Sequence, residues 1–409
     1  MMYCFILGHN PTLSIAEISQ VLKEDFQVVE LSARVLIIES QKELNAEQLQ
    51  RRLGGTIKIE QSIKEISARD LLAFRSDIAG LLKQNKKIFF GFSLYSLESH
   101  ETTRKYQLQI KSLAMETKKA LKNLGLSSRW VDSKDEALSS VVVQKNRLLT
   151  QGAEFCFLIG ADKIYLAKTL SCQEVEEYSY YDFGRPARSM KQGMLPPKLA
   201  KIMINLAQAP QTGIILDPFC GVGTVLQEAI KMGYRNLIGT DIDEGAIKRT
   251  ITNINWLSDQ QKINFSDFNL KIFPADARVL SQLLTPGSID AIVTEPYLGP
   301  VKISNFKFSI SNIIKELSEL YLAAFRELKQ VLKKDGRLVI VFPVFREGAK
   351  LHYLPIIDEI RKHGWQVINP MPPELQKNPA IKITIRDSII YSRPDQMVLR
   401  EIFIFIRNS

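Results

Sequence analysis

Three observations predict an α/β fold with a doubly wound, mostly parallel sheet in the second half of this chain. First, the β-branched run Gly213-Ile214-Ile215-Leu216 leads directly into the turn Asp217-Pro218-Phe219-Cys220-Gly221-Val222-Gly223-Thr224. A buried parallel strand reads as such a continuous apolar run. Second, Val225 to Met232 places Val225, Leu226, Ala229 and Ile230 on one apolar helix side, and Asn236 to Thr240 then forms a second strand ending on Asp241. Third, Asp217, Asp241, Asp276 and Glu295 each fall just where a predicted strand ends. In open α/β sheets ligands bind beyond the carboxyl ends of the strands.

The other elements follow in order. Pro196-Pro197 opens a helix, since proline is tolerated in the first turn, and Leu199, Ile202, Met203 and Leu206 give it a core stripe. Ala246 to Trp256 is helical, Leu270 to Phe273 is the third strand and Ile289 to Val293 the fourth. Ile313 to Leu332 is a long amphipathic helix, Arg337 to Phe342 a fifth strand and Ile356 to Lys362 a further helix. Trp365 to Ile368, Ser388 to Ser392 and Glu401 to Ile406 are late strands ending in a C-terminal hairpin.

The turn chemistry narrows the ligand. Gly221 and Gly223 permit positive φ and close backbone approach. Asp241 lies about twenty residues on, where a carboxylate accepts from ribose hydroxyls. A G-x-G-x-x-G dinucleotide turn would need a third glycine where Leu226 stands. Asp217 would repel pyrophosphate but attract an ammonium or sulfonium. S-adenosylmethionine, an adenosine cation without phosphate, fits better than NAD.

The first half divides differently. Residues 1–64 read as a small α/β unit: Tyr3 to Leu7 is a strand, Ser14 caps a helix carrying Ile15, Ile18 and Leu22, Val28 to Leu31 and Val35 to Ile38 are strands, and Ala46 to Leu53 is a helix. His9-Asn10-Pro11 is a turn. Residues 65–172 form a second unit, entered by the strand Ile88 to Leu94. In its helix Lys111 to Leu124, the residues Leu113, Thr117, Ala120, Leu121 and Leu124 share a face opposite Lys111, Lys118 and Lys122. Arg129, Lys134, Lys145 and Arg147 follow. Any one of these cations suits a solvated face; together they suit a phosphate backbone. Residues 173–188 read as a linker whose Tyr178, Tyr180, Tyr181 and Phe183 pack between domains or, beside the arginines, stack on bases, and 189–409 as the nucleotide-binding domain.

Bulk properties agree with a multi-domain enzyme. The 409 residues carry 45% hydrophobic and 24% charged side chains, the composition of an ordinary soluble protein. No apolar segment reaches membrane length and no signal core follows the N-terminus, so a cytoplasmic location and no membrane partner are expected. A net charge of +10 suits an anionic partner, nucleic acid ahead of a membrane surface. Cys4, Cys156, Cys172 and Cys220 show no C-x-x-C spacing, and His9, His100, His352 and His363 are scattered, so reduced thiols and no metal are expected.

Asp217-Pro218-Phe219-Cys220-Gly221-Val222-Gly223-Thr224 resembles the D-P-F-C-G-(S/T)-G-T loop of class I methyltransferases that modify exocyclic amines in RNA. Gly193-Met194-Leu195-Pro196-Pro197-Lys198-Leu199-Ala200 is similar to the segment preceding that loop in THUMP-containing tRNA guanosine-N2 methyltransferases. Phe5 to Pro11, Leu53-Gly54-Gly55-Thr56-Ile57-Lys58 and the stretch from Arg129 to Asn146 resemble the same family, so the likeness covers nearly the whole chain. It implies a Rossmann-like class I methyltransferase sheet preceded by a ferredoxin-like domain and a THUMP domain that holds the tRNA acceptor end. It implies S-adenosylmethionine on Pro196, Asp217, Phe219, Cys220, Gly221, Gly223, Thr224, Asp241, Ile242, Asp276 and Ala277, with Asp276 accepting from the adenine amino group. It further implies tRNA on Lys111, Lys118, Lys122, Arg129, Lys134, Lys145 and Arg147, and guanosine 10 as the target. Some eukaryotic relatives use a small zinc-binding partner, which leaves a helper subunit open.

The catalytic loop departs from the pattern. The family's (D/N)-P-P-(Y/F) is replaced by Glu295-Pro296-Tyr297-Leu298-Gly299. An acid and a backbone carbonyl there accept from the target amine while an aromatic ring stacks on the flipped base. Glu295 still accepts, from a carboxylate set further out on one more torsion, with Pro296 and Tyr297 completing the loop. Methyl transfer to a guanosine N2 is the leading reading. A DNA or rRNA amine methyltransferase and a tRNA-binding chaperone without catalysis stay open, and a nicotinamide oxidoreductase ranks last.

Overall fold

The computed structural model describes residues 1–23, 25–67, 70–82, 87–98, 103, 105–188, 194–300, 309–393 and 396–408. Of the positions named above, His100 and Gly193 lie outside them. The chain divides into two compact units, Met1–Ile15 with Leu22–Tyr178 and Asn378–Ala380, and Ala16–Val21 with Ser179–Lys377 and Ile381–Ser409.

The first unit is built on an eight-stranded sheet. Its strands are β1 (Met2–Leu7), β2 (Phe26–Leu31), β3 (Val35–Ser40), β4 (Thr56–Ile66), β5 (Lys87–Ser96), β6 (Ser127–Val131), β7 (Gly152–Ile159) and β8 (Ile164–Cys172), in the order β2-β3-β1-β4-β8-β7-β5-β6. The boundary expected at residue 64 falls inside β4, which pairs with β1 on one side and β8 on the other. Segments 1–64 and 65–172 therefore share one hydrogen-bonded sheet. Helix α1 (Pro11–Leu22) starts three residues before the expected cap, because Pro11 occupies its first turn. Ser14 thus lies inside the helix, and its hydroxyl donates to the Gly55 carbonyl at 2.8 Å. A Cβ on Gly55 would come within 2.6 Å of that hydroxyl. This close approach is why Gly55, in one family-like segment, and Ser14, just beyond the other, meet in space.

Among the remaining helices of this unit are α2 (Ala46–Arg52), α3 (Arg75–Leu81), α4 (Gln107–Asn123) and α5 (Ser140–Lys145). Helix α4 buries Leu113, Ala114, Thr117 and Leu121 and leaves Lys111, Lys118 and Lys122 exposed, as its periodicity predicts. Leu124, expected on the buried face, is half exposed because it sits past the last turn as the C-cap. The expected linker contains a helix, α6 (Val175–Phe183), in which Tyr180 and Tyr181 pack on Trp256 with centroids 5.7 and 5.6 Å apart.

The second unit follows the predicted winding. Strands β9 (Ile214–Asp217), β10 (Asn236–Asp241), β11 (Asn269–Pro274), β12 (Ile289–Thr294) and β13 (Leu332–Glu347) pair in parallel. The helices between them are α8 (Thr224–Lys231), α9 (Glu244–Gln261) and α10 (Ile310–Val331), with α7 (Pro197–Ala207) ahead of β9. The sheet order is β11-β10-β9-β12-β13-β17-β15, with β15 (Trp365–Ile368) at the edge and β17 (Val398–Arg407) next to it, while β14 (Lys350–Tyr353) pairs with the end of β13. The hairpin expected at the C-terminus exists, as β16 (Ile389–Tyr391) pairs with β17. Yet β17 is also inserted antiparallel between β13 and β15. Its first residues consequently lie at the carboxyl ends of the parallel strands.

A cluster of apolar side chains fixes this frame. Tyr321 and Phe325 of α10 meet Phe342, Trp365 and Phe405 edge-on at centroid distances of 5.0 to 6.0 Å. The apolar stripe of α7 is buried as expected. Among the described residues no helix is long and apolar enough to cross a membrane.

Candidate active site

The chain runs β9-β10-β11 in one direction and β12-β13 in the other, so the strand order reverses between β9 and β12. Above this reversal lies a cavity of about 420 Å³, within the range of small-molecule sites. Four strand-end acids reach it: Asp217, Asp241, Asp276 and Glu295.

The glycine turn forms its floor. Gly221 and Gly223 have φ of +57° and +79°, values that favour glycine. The Gly221 N–H donates to Asp241 Oδ2 at 2.9 Å, and the Asp243 N–H donates to Asp241 Oδ1 at 3.0 Å. Both carboxylate oxygens of Asp241 are thus oriented by backbone. Gly223 does not line the cavity; it packs against Thr250, where a Cβ would come within 2.8 Å of the methyl group. Asn253 donates to the carbonyls of Val222 and Ala187, both at 2.9 Å, and buried Arg185 donates to Thr224 Oγ1 at 2.8 Å. The segment ahead of α7 is therefore fastened to the back of the turn.

Asp217 is buried and held by Thr294 Oγ1, which donates to its Oδ1 at 2.7 Å, and by the Phe219 N–H at 3.2 Å. Burial pushes its carboxyl up to about 7, with Asp241 and Glu295 adding to the rise and the two hydrogen bonds opposing it. Asp276 caps the short helix after β11 and carries Arg278 on its carboxylate at 2.6 Å. Asp276 is thus a helix cap whose carboxylate also lines the cavity. The Cys220 thiol is driven well above its usual range, chiefly by burial, so it is no nucleophile.

Glu295 leaves β12 into the same cavity and is nearly buried. Arg400, from the start of β17, donates to its Oε1 at 2.5 Å through Nε and to its Oε2 at 3.3 Å through Nη2. Tyr297 presents a half-exposed ring, and its carbonyl accepts from the buried Tyr321 hydroxyl at 3.3 Å.

Phe219, Cys220, Gly221, Thr224, Ile242, Ala277, Pro296 and Tyr297 line the cavity. Pro196 does not: it is the N-cap of α7, and Met194 and Leu195 just before it form that wall. Thr294, Arg249, Arg278 and Arg400 escaped the sequence reading. Arg400 had a signal, a cation in the otherwise apolar run Leu399 to Ile406, broken only by the Arg400-Glu401 pair.

The lining holds five carboxylates (Asp217, Asp241, Asp243, Asp276, Glu295); Arg249, Arg278 and Arg400 pair with Asp243, Asp276 and Glu295, which leaves Asp217 and Asp241 as the excess. This excess suits a cationic ligand with hydroxyls and opposes a pyrophosphate. The donors and acceptors present therefore fit S-adenosylmethionine.

In the first unit, Lys111, Lys118, Lys122, Arg129, Lys134, Lys145 and Arg147 are all exposed. Lys111 and Lys134 share a second cavity of about 430 Å³. Lys145 is paired with Glu176 at 3.2 Å.

Comparison with known proteins agrees with this geometry. A family model described as RMKL-like methyltransferase domain matches residues 185–351, and one described as DNA methylase matches 109–253. A tRNA (guanine(10)-N2)-dimethyltransferase of Methanocaldococcus jannaschii is 34% identical over 176 residues, 42% of this chain and 44% of that protein. A probable tRNA (guanine(10)-N2)-dimethyltransferase of Methanothermococcus thermolithotrophicus is 34% identical over 143 residues, which cover 35% of this chain and 77% of the relative. The chain belongs to the tRNA (guanine(10)-N2)-dimethyltransferase family. The match spans less than half the length of the Methanocaldococcus member. The crystal structure of TrmN from Thermus thermophilus shares the fold at 14% identity, with a TM-score of 0.54 and full coverage of both chains.

Proposed function

We propose that this chain transfers a methyl group from S-adenosylmethionine to the exocyclic N2 of guanosine 10 in tRNA, in the cytoplasm. The observation that carries the reading is the convergence of four strand-end acids on one cavity beside a Glu-Pro-Tyr loop, in a chain of this family. When bound, S-adenosylmethionine would supply a sulfonium methyl group with a neutral thioether as its leaving group. Asp241 would then accept from its ribose hydroxyls, Asp276 and Ala277 would meet its adenine edge, and Asp217 would face its amino-acid cation. Glu295 and a carbonyl of the loop accept from the N2 hydrogens, which directs the weakly basic lone pair along the transfer line. Glu295 takes the proton that N2 sheds once methylated and passes it to solvent. The Tyr297 ring offers a stacking face to the flipped base. The first unit, read as a THUMP module, presents the tRNA through its exposed cations.

Asp217 gives the cofactor site a pH dependence. An anion is required to face a cation, and the free carboxyl titrates at about 7. S-adenosylhomocysteine binding measured by calorimetry is expected to tighten about tenfold or more from pH 5.5 to 7.5. Asp217→Asn should flatten that slope; an unchanged slope would remove Asp217 from the ligand. The sign for the ligand-free fold is opposite. Its Asp217 pKa is raised from 3.8 to about 7, so the folded state holds the extra proton and loses stability as pH rises through that window.

The test of the function is transfer of labelled methyl into unmodified tRNA, with nuclease mapping. Label on the N2 of guanosine 10 is the expected result, with DNA and rRNA unlabelled. Because Arg400 already occupies part of the Glu295 carboxylate, a tRNA-binding relative without transfer is the second reading. It predicts tRNA and cofactor binding with no label.

A further inference from the structure

The usual residue at this place in such loops is a shorter Asp or Asn, and Glu295 adds a methylene and a torsion to it. Left alone, the longer side chain would sample several rotamers and lose the fixed direction that in-line transfer needs. The structure supplies the missing constraint from the far end of the sequence. Arg400 grips both Glu295 oxygens with the fork of its guanidinium, Nε to Oε1 at 2.5 Å and Nη2 to Oε2 at 3.3 Å. Both side chains are about nine-tenths buried, with 9% and 12% exposure. The same Nη2 lies 3.5 Å from the carbonyl of Met194, which lines the cofactor wall. Arg400 can reach because β17 runs antiparallel, which brings its first residues to the carboxyl ends of β12 and β13.

We propose that Arg400 is a positioning residue for methyl transfer: it locks Glu295 in one rotamer and ties it to the cofactor wall, making a glutamate serve where a shorter acid normally does. This rests on the methyltransferase reading above. A carboxylate has about four lone-pair directions, and the fork uses two of them. The remaining directions stay available to the target amine. An arginine fork fixes a carboxylate plane in a way that a lysine point charge does not.

One consequence runs against the family pattern. Glu295→Asp, which restores the usual acid, withdraws the carboxylate from Arg400 by about 1.5 Å, one carbon–carbon bond. It is therefore expected to lower kcat by about tenfold or more. Arg400→Gln should lower kcat by about a hundredfold with the tRNA KM and the S-adenosylhomocysteine affinity within about threefold of the unaltered chain, and Arg400→Lys should recover only part of the loss.

The experiment measures kcat, tRNA KM and calorimetric S-adenosylhomocysteine affinity for the full chain, these three variants, Glu295→Gln and the double variant Glu295→Gln/Arg400→Gln. If Arg400 acts through Glu295, the double variant is no slower than Glu295→Gln alone. Should Arg400→Gln fail to fold, Glu295→Asp and the charge-free double variant carry the test. The proposal is overturned if Glu295→Asp keeps full activity, if Arg400→Gln changes KM or cofactor affinity instead of kcat, or if its loss multiplies that of Glu295→Gln. An inactive unaltered chain would instead sink the methyltransferase reading, and this inference with it.

Discussion

Glu295→Gln is expected to slow methyl transfer by about a hundredfold or more while S-adenosylhomocysteine binds as it does to the unaltered chain. Losing one preorganised group aimed at developing charge costs about 3 kcal/mol in other enzymes. Here the substitution keeps the volume and leaves one oxygen that Arg400 can still reach. What disappears is the negative charge facing the nitrogen that becomes cationic, together with the proton acceptor. Glu295→Ala would be a poorer probe, because it strands the buried Arg400 guanidinium and would add about 3–5 kcal/mol of instability. Single-turnover transfer with labelled cofactor, paired with calorimetry on the product thioether, separates chemistry from binding. Near-normal turnover would take Glu295 out of the reaction.

Gly223→Val should weaken S-adenosylhomocysteine binding by about a hundredfold although Gly223 does not line the cavity. At φ +79° a side chain costs about 1–2 kcal/mol, and more for a β-branched one. The added Cβ would also meet the Thr250 methyl at 2.8 Å, and Thr250 is itself held by a hydrogen bond to the Gly221 carbonyl at 3.0 Å. Relief of both strains moves the turn, and with it the Gly221 N–H that orients Asp241. Gly221→Ala is the control. Its φ of +57° is also left-handed and it lines the cavity, but the nearest protein atom to an added Cβ is 4.0 Å away, so the strain comes without the Thr250 clash. Calorimetry on the two variants should rank valine at 223 as the worse by about tenfold. Equal losses would mean that backbone strain alone sets the effect.

Much of the cofactor pocket was legible because its residues are local in sequence. A strand, a turn and a helix in succession must place Asp217, Gly221 and Asp241 at one end of a parallel sheet, since right-handed crossover leaves no other arrangement. The same logic reached Asp276 and Glu295, one strand end at a time. Pro196 falls just outside the lining, because it is the N-cap of α7 and the wall is made by Met194 and Leu195 immediately before it. Ser14 was misread as a cap because Pro11 starts the helix earlier.

The sequence by itself determined the doubly wound sheet, the glycine turn, the acids at the strand ends and a ligand without phosphate. Each of these follows from periodicity, from φ preference or from the sign of a charge, all of which act over a few residues. The tertiary structure alone decided that one sheet runs through residues 1–172, that Thr294 restrains Asp217, and that Arg400 holds Glu295. These depend on pairings between strands far apart in the chain. A reversed strand inserted between two others leaves no local mark except a charge in an apolar run, and its partner 105 residues away is fixed only when the sheet closes around both.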